Sequence, residues 1–259
     1  MTTTLDKLPL SAFFVLTVAI VLAAIEFGFR GGRYRHQRYN DEKEGPVGAM
    51  VAATLGLLAF ILAFTFGLAA SRYDARRTVV VDEANTIGTT YLRAGLLPDE
   101  RAARIRPLLR DYVDARLEAA RTGNLLAVQR RSDELQHALW TEAELVGQQY
   151  PESIVAGLFI QALNETIDIH ATRLFAVQQG RIPVVLWLAL LVVTVLTMAG
   201  VGYFCGMSRS RRTPEVLLMA LAYSAILLLV ADLDRPLEGL VRVSQQAMID
   251  VRAMMDDIP

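Results

Sequence analysis

Cysteine is all but absent: Cys205 stands alone inside an apolar run. That excludes an intramolecular disulfide and any multi-thiolate zinc or iron-sulfur site, and leaves the thiol to act as a small buried hydrophobe. Histidine is scarce too, with His36, His137 and His170 scattered along the chain. There is no nucleophile elbow, phosphate-cradling glycine loop or zinc-protease motif, so the sequence offers no catalytic residue, no metal site and no cofactor. Neither sign of charge dominates. With 26 Lys and Arg against 27 Asp and Glu, the net charge is -1, and the basic surface needed to hold nucleic acid is missing.

Apolar sequence is plentiful. Hydrophobic residues make up 53% of the chain and charged ones 20%, so the charges must be segregated from the apolar runs, and the chain is part membrane and part water. Residues 47–70, VGAMVAATLGLLAFILAFTFGLAA, carry no charge. A stretch of that length crosses the hydrocarbon core as a helix. Residues 8–29 form a similar run after Lys7. It is too long for a signal core, and the IEFGFRGGRYRHQR that closes it is no small-residue cleavage site. Runs at 182–207 and 214–231 follow, the last near the short end of what can span. The four spans pair into two hairpins, closed by residues 30–46 and by SRSRRTP, both basic.

The expected fold is therefore an all-α membrane protein with two hairpins and a helical insert between the second and third spans. Its segments are 1–46, first span and basic loop; 47–70, second span; 71–181, extramembrane insert; 182–231, third and fourth spans; and 232–259, a helical tail. In the insert, Leu108, Leu109, Tyr112, Val113 and Leu117 recur at helical spacing, and Leu125, Val128, Leu135, Leu139 and Trp140 fit further amphipathic stretches, all read as core faces. Pro98 with Asp99 and Glu100 predicts a turn and an acidic first helical turn; Thr122, Gly123 and Asn124 predict a break; Pro151 predicts a helix start. From there a helix is expected to run to Gly180 and on into the third span. Leu237, Leu240, Val241, Met248 and Val251 predict a surface-docked or interfacial helix from Pro236 to Met255.

Orientation has two readings. Arg30, Arg33, Arg35, Arg38, Lys43, Arg209, Arg211 and Arg212 lie in the short loops and would hold that face in the cytoplasm and the insert outside it. Arg72, Arg76, Arg77, Arg173, Arg181, Arg235 and Arg242 flank the spans on the other face and nearly balance the count.

Three elements carry a resemblance over most of the chain: SRYDARR, with Arg72, Tyr73 and Asp74; DEAN, with Asp82, Glu83, Ala84 and Asn85; and DLDRPLEG, from Asp232 through Pro236 with Gly239. Together with NETIDIHATRL they resemble the bacterial bestrophin-like family. The resemblance implies membership of a group related to bestrophins, anion channels built as pentameric rings whose second membrane helix lines a hydrophobic neck and passes into a helical domain. It implies a homo-oligomer in a bacterial inner membrane, partnered by lipid and small inorganic ions, and a cytoplasmic insert. The acidic calcium clasp of animal bestrophins is not matched by Asp256 and Asp257.

Leu57, Phe60, Phe64 and Leu68 recur on one face of the second span, the geometry of a constriction in a ring of subunits that gates by dewetting. In an arbitrary membrane helix such a stripe more often packs on a helix or lipid. Glu26, near the end of the first span, and Asp232 and Asp234, at the end of the fourth, are carboxylates that need pairing or water, with Arg235, Arg72 or a basic-loop arginine as partners. Their readings are a pore mouth, a lock between subunits, or solvation at the interface. Asp74, Glu83 and Asn85 stand where a vestibule would open, and helix pairing is the blander role. Asn164, Glu165, Asp168 and His170 suggest a metal cluster only superficially, because His170 is two positions from Asp168 and points elsewhere; a salt-bridged face with Arg173 is favoured.

The leading expectation is a homo-oligomeric channel for small monovalent ions, with anions slightly preferred on the resemblance. A cation-selective channel, and a non-conducting scaffold or sensor whose insert binds a partner, stand beside it.

Overall fold

The computed structural model describes residues 8–38, 44–122, 125–178, 181–208, 214–235 and 239–258. Among these it forms eight helices and no strand: α1 (Leu10–Arg38), α2 (Glu44–Ala94), α3 (Asp99–Thr122), α4 (Leu125–Gln149), α5 (Ile154–Gln178), α6 (Val184–Met207), α7 (Pro214–Asp234) and α8 (Gln246–Asp257). Four of them, α1, α2, α6 and α7, are long and apolar enough to cross a membrane. Lys43, Arg209, Arg211, Arg212, Pro236 and Leu237 lie outside the described residues, as do the side chains of Leu125 and Val128.

The chain divides into two units, residues 1–72 with 181–241 and residues 73–180 with 242–259. In the first unit, α1 and α6 run parallel. Phe13 meets Trp187 edge to face with ring centroids 6.1 Å apart at one end, and Gly28 and Gly32 meet Ala199 and Tyr203 further along. The approach is backbone to backbone. A Cβ on Gly28 or Gly32 would collide with the carbonyl of Ala199 or Tyr203, and one on Gly202 or Gly206 with that of Ile25 or Phe29. Both helices thus bring a small-x-x-x-small pair to the seam, the pattern by which helices associate in lipid, where apolar burial gives no driving force.

The second unit has a water-type core. Ala84, Ile87 and Tyr91 of α2 pack with Ile105, Leu109, Tyr112 and Val113 of α3, Leu135, Leu139 and Val146 of α4, Phe159 and Leu163 of α5, and Met248 and Met255 of α8. Each large side chain buried there contributes roughly 1.5–3 kcal/mol of transfer free energy. Arg110 Nη2 donates to the Tyr91 hydroxyl at 2.6 Å and to the Met255 carbonyl at 2.6 Å. It thereby places a cation on the last turn of α8, where the helix dipole favours one.

Three expectations are corrected. The helix expected from Pro151 starts at Ile154, with Pro151 in the preceding turn. It does not run on into the third span: α5 ends at Gln178 and α6 starts afresh after Pro183, whose ψ of 138° is extended backbone. Pro183 removes a backbone donor and restrains the residue before it, which starts a helix better than it continues one. The tail is no single interfacial helix either. It becomes helical only at Gln246, and Met248 and Met255 are fully buried in the core of the second unit.

Candidate pore helix and buried charge cluster

After Pro46 in its first turn α2 meets no proline until Pro98 and carries its internal glycines within the helix, so the helix that starts as a membrane span continues to Ala94. Within the first unit its apolar stretch is barely covered: 11% of it is buried, against 44% for α7. Leu58, Leu62, Thr65 and Ala69 are the buried positions. The Thr65 hydroxyl donates back to the Ile61 carbonyl at 2.7 Å and so needs no other partner. On another face Leu57, Phe60 and Phe64 are 52%, 70% and 61% exposed; Leu68, expected with them, is half-buried.

In the second unit the exposed positions of α2 continue at spacings of three and four with Asp74, Thr78, Asp82, Asn85 and Thr89. Of the arginines in this stretch, Arg77 is exposed three positions after Asp74, and Arg93 is half-buried four positions after Thr89. Arg76 is buried, and Arg93 donates to the Leu158 carbonyl at 2.8 Å. Arg72, which belongs to the first unit, donates to the Arg181 carbonyl.

Glu83 takes the opposite course. It is fully buried, and its carboxylate collects charge from two helices. Arg173 of α5 donates to Oε2, and Arg116 Nε of α3 sits 3.0 Å from Oε1 as an ion pair without an aligned hydrogen bond. The Tyr112 hydroxyl stands 3.5 Å from Oε1 and 3.0 Å from His170 Nδ1, and it accepts from Gln136 Nε2 at 3.2 Å. Arg173 also donates to Gln245 Oε1 at 3.2 Å. Burial by itself would push the Glu83 carboxyl up; His170 and the charges of Arg173 and Arg116 more than offset this and hold it at about 2. His170 Nδ1 lies 3.9 Å from Glu83, beyond hydrogen-bond range, so the arginines dominate. Burial, then the Glu83 charge, raises the Tyr112 hydroxyl. Burial lowers the Arg173 guanidinium, and Glu83 opposes that.

The carboxylates near the ends of the spans are engaged within the chain. Asp232 accepts from the backbone N–H of Leu240 at 2.8 Å and of Val241 at 3.0 Å. Gly239 closes that loop with φ +144°, where any side chain would strain the backbone and strike the Asp232 carboxylate. Asp234 accepts from the Ile182 N–H at 2.8 Å, and Arg235 donates to the Leu8 carbonyl at 2.7 Å. These three join the end of α7 to the loop after it, to the approach to α6 and to the approach to α1. Glu26 pairs with Arg30 one turn on, at 2.8 Å.

Of the residues weighed as metal ligands, Glu165 accepts from Gln161 at 3.1 Å, and no group of three His, Cys, Asp or Glu suited to a metal occurs among the described residues. Arg116 was missed as a functional residue. It follows Tyr112 by four positions, and an arginine on the buried stripe of α3 is itself the signal that a buried anion waits opposite. The glycine pairs of the α1 and α6 seam were legible by spacing and also passed over.

Three comparisons with known proteins bear on this arrangement. A solved bacterial bestrophin homologue from Klebsiella pneumoniae, carrying a leucine-to-threonine mutation, superposes with a TM-score of 0.71 at 15% identity, covering 96% of this chain and 98% of that one. A second structure of a Klebsiella pneumoniae bestrophin homologue, with a tyrosine-to-alanine mutation, gives a TM-score of 0.66 at 17% identity, with 95% and 97% covered. At such identities these show the fold, which is that of bestrophins. No curated protein matches the chain. The model of the Bestrophin-like domain matches residues 12–248, and the chain belongs to the bestrophin-like family.

Proposed function

We propose that the protein is a multi-pass, homo-oligomeric ion channel of a bacterial inner membrane, in which copies of α2 surround a shared axis. The observation that carries this reading is the uncovered face of α2: Phe60 and Phe64, one turn apart and 70% and 61% exposed, on a helix that the chain's own spans leave open. Large aromatics repeated around a ring make a narrow apolar neck that wets only when it widens, and such a neck is a gate. A ring of five is the family's assembly and is proposed here for that reason. The family is channel-like rather than enzymatic, and no catalytic role is assigned.

Bestrophin resemblance alone points to anions. The exposed positions of α2 beyond the membrane favour the opposite sign. Asp74 and Asp82 stand among Thr78, Asn85 and Thr89 and outnumber the exposed Arg77 beside them, while Arg93 at the far end donates to the Leu158 carbonyl. Repeated around a ring they form acidic rings, which concentrate cations. Small monovalent cations are therefore the proposed cargo. The Asp232, Asp234 and Arg235 group is proposed as a lock within each chain and not as a pore lining.

Reconstitution into liposomes tests the reading. Potassium and chloride flux would be measured for the wild type and for Phe60→Ala, Phe64→Ala. A higher flux in the double variant, with potassium ahead of chloride, supports a gated cation pore. Chloride ahead of potassium returns the anion reading. Absence of flux from correctly inserted protein of either kind favours a scaffold whose helical unit binds a partner.

A further inference from the structure

Imidazole is the side chain whose chemistry can read a proton under ordinary conditions, and the two ring nitrogens of His170 face different surroundings. Nδ1 lies 3.0 Å from the Tyr112 hydroxyl. Nε2 is buried without a hydrogen-bond partner and lies 3.9 Å from Oδ1 of Asp133, a half-exposed carboxylate on α4. Tyr112 has a single hydroxyl proton and two acceptors in reach, His170 Nδ1 at 3.0 Å and Glu83 Oε1 at 3.5 Å. It can serve only one of them at a time.

We infer that His170 and Tyr112 form a proton-read hydrogen-bond switch acting on Glu83, and through it on the extramembrane part of α2. With His170 neutral and its proton on Nε2, Nδ1 accepts from Tyr112 and Glu83 is left to the arginines. A proton taken from water onto Nδ1 makes both ring nitrogens donors. Tyr112 must then accept from Nδ1–H, and its own proton turns onto Glu83. No covalent bond other than N–H changes, and the added charge stays on the imidazolium. The groups facing His170 are Glu83 from α2, Tyr112 from α3 and Asp133 from α4; Arg116, Arg173 and Gln136 belong to the cluster through Glu83 and Tyr112. Glu83 and Asp133 favour the added charge; Arg116 and Arg173 oppose it but are already paired with Glu83. Glu83 stays ionised throughout, since its carboxyl titrates at about 2.

The test uses the full chain in lipid nanodiscs with labelled histidine and tyrosine, followed by NMR from pH 8 to pH 5. The His170 signals are picked out from the two other histidines by His170→Gln. Expected are a His170 titration and a Tyr112 Cζ shift with the same midpoint. Amide exchange around Glu83, corrected for its intrinsic pH dependence, should slow about tenfold at the acid end, the effect of one added hydrogen bond to a charged acceptor. Tyr112→Phe should abolish that slowing. A His170 that keeps one charge state across the range overturns the inference, as does a titration that Tyr112 does not follow or a slowing that survives Tyr112→Phe. The wild-type spectra decide even if a variant fails to fold, and none of these readouts depends on ion flux.

Discussion

Asp82 and Glu83 are neighbours in sequence and opposites in setting. Asp82 is exposed on the open side of α2, while Glu83 is fully buried and held by two arginines. Within the membrane the same helix repeats the contrast, with Leu58, Leu62 and Ala69 covered and Phe60 and Phe64 bare. A helix rotates 100° per residue, so adjacent positions can serve unrelated purposes. One side of α2 holds the fold together. The other side is left for something outside the chain, and in a membrane protein that is lipid or another copy.

Breaking the covered side should have the largest effect. Glu83→Ala would leave Arg116 and Arg173 buried without their anion, at a cost of about 3–5 kcal/mol, and the helical unit should melt far below the wild type in a thermal scan. Acid should act in the same direction more gradually. The Glu83 pKa is lowered from 4.5 to about 2, so its contribution is complete above about 4.5 and fades as the pH falls toward 2. Glu83→Gln should flatten that part of the stability curve.

Changes on the open side should leave stability nearly alone. Phe60→Ala with Phe64→Ala should shift unfolding by no more than about 0.5 kcal/mol each, the usual range for surface positions, while altering flux. Smallest of all in stability terms, Asp74→Asn with Asp82→Asn should leave melting unchanged and move the reversal potential in a potassium chloride gradient toward chloride. A large loss of stability from either pair would mean that this side also belongs to the fold of the single chain.

Much of this was legible in the sequence, because spans are written in contiguous composition. The uncharged stretch 47–70 needs no tertiary information, nor does the acidic helix start after Pro98, and both are found in the structure. What was not legible depends on pairing across distance. Glu83 meets an arginine 90 residues away, and the glycines of α1 meet those of α6 far along the chain. Their spacing is visible; the partner is not. The charges at Arg72 to Arg77 read as an end to the second segment, yet nothing there breaks a helix, and α2 runs through them.

Cysteine cross-linking in native membranes tests most directly whether the bare side of α2 faces its own copies. On a Cys205→Ser background, Phe64→Cys would be compared with Leu218→Cys, an exposed position on α7. Chain-to-chain cross-links are expected at position 64 and none at position 218. Cross-links at 218 alone, or at neither position in folded protein, would contradict that arrangement.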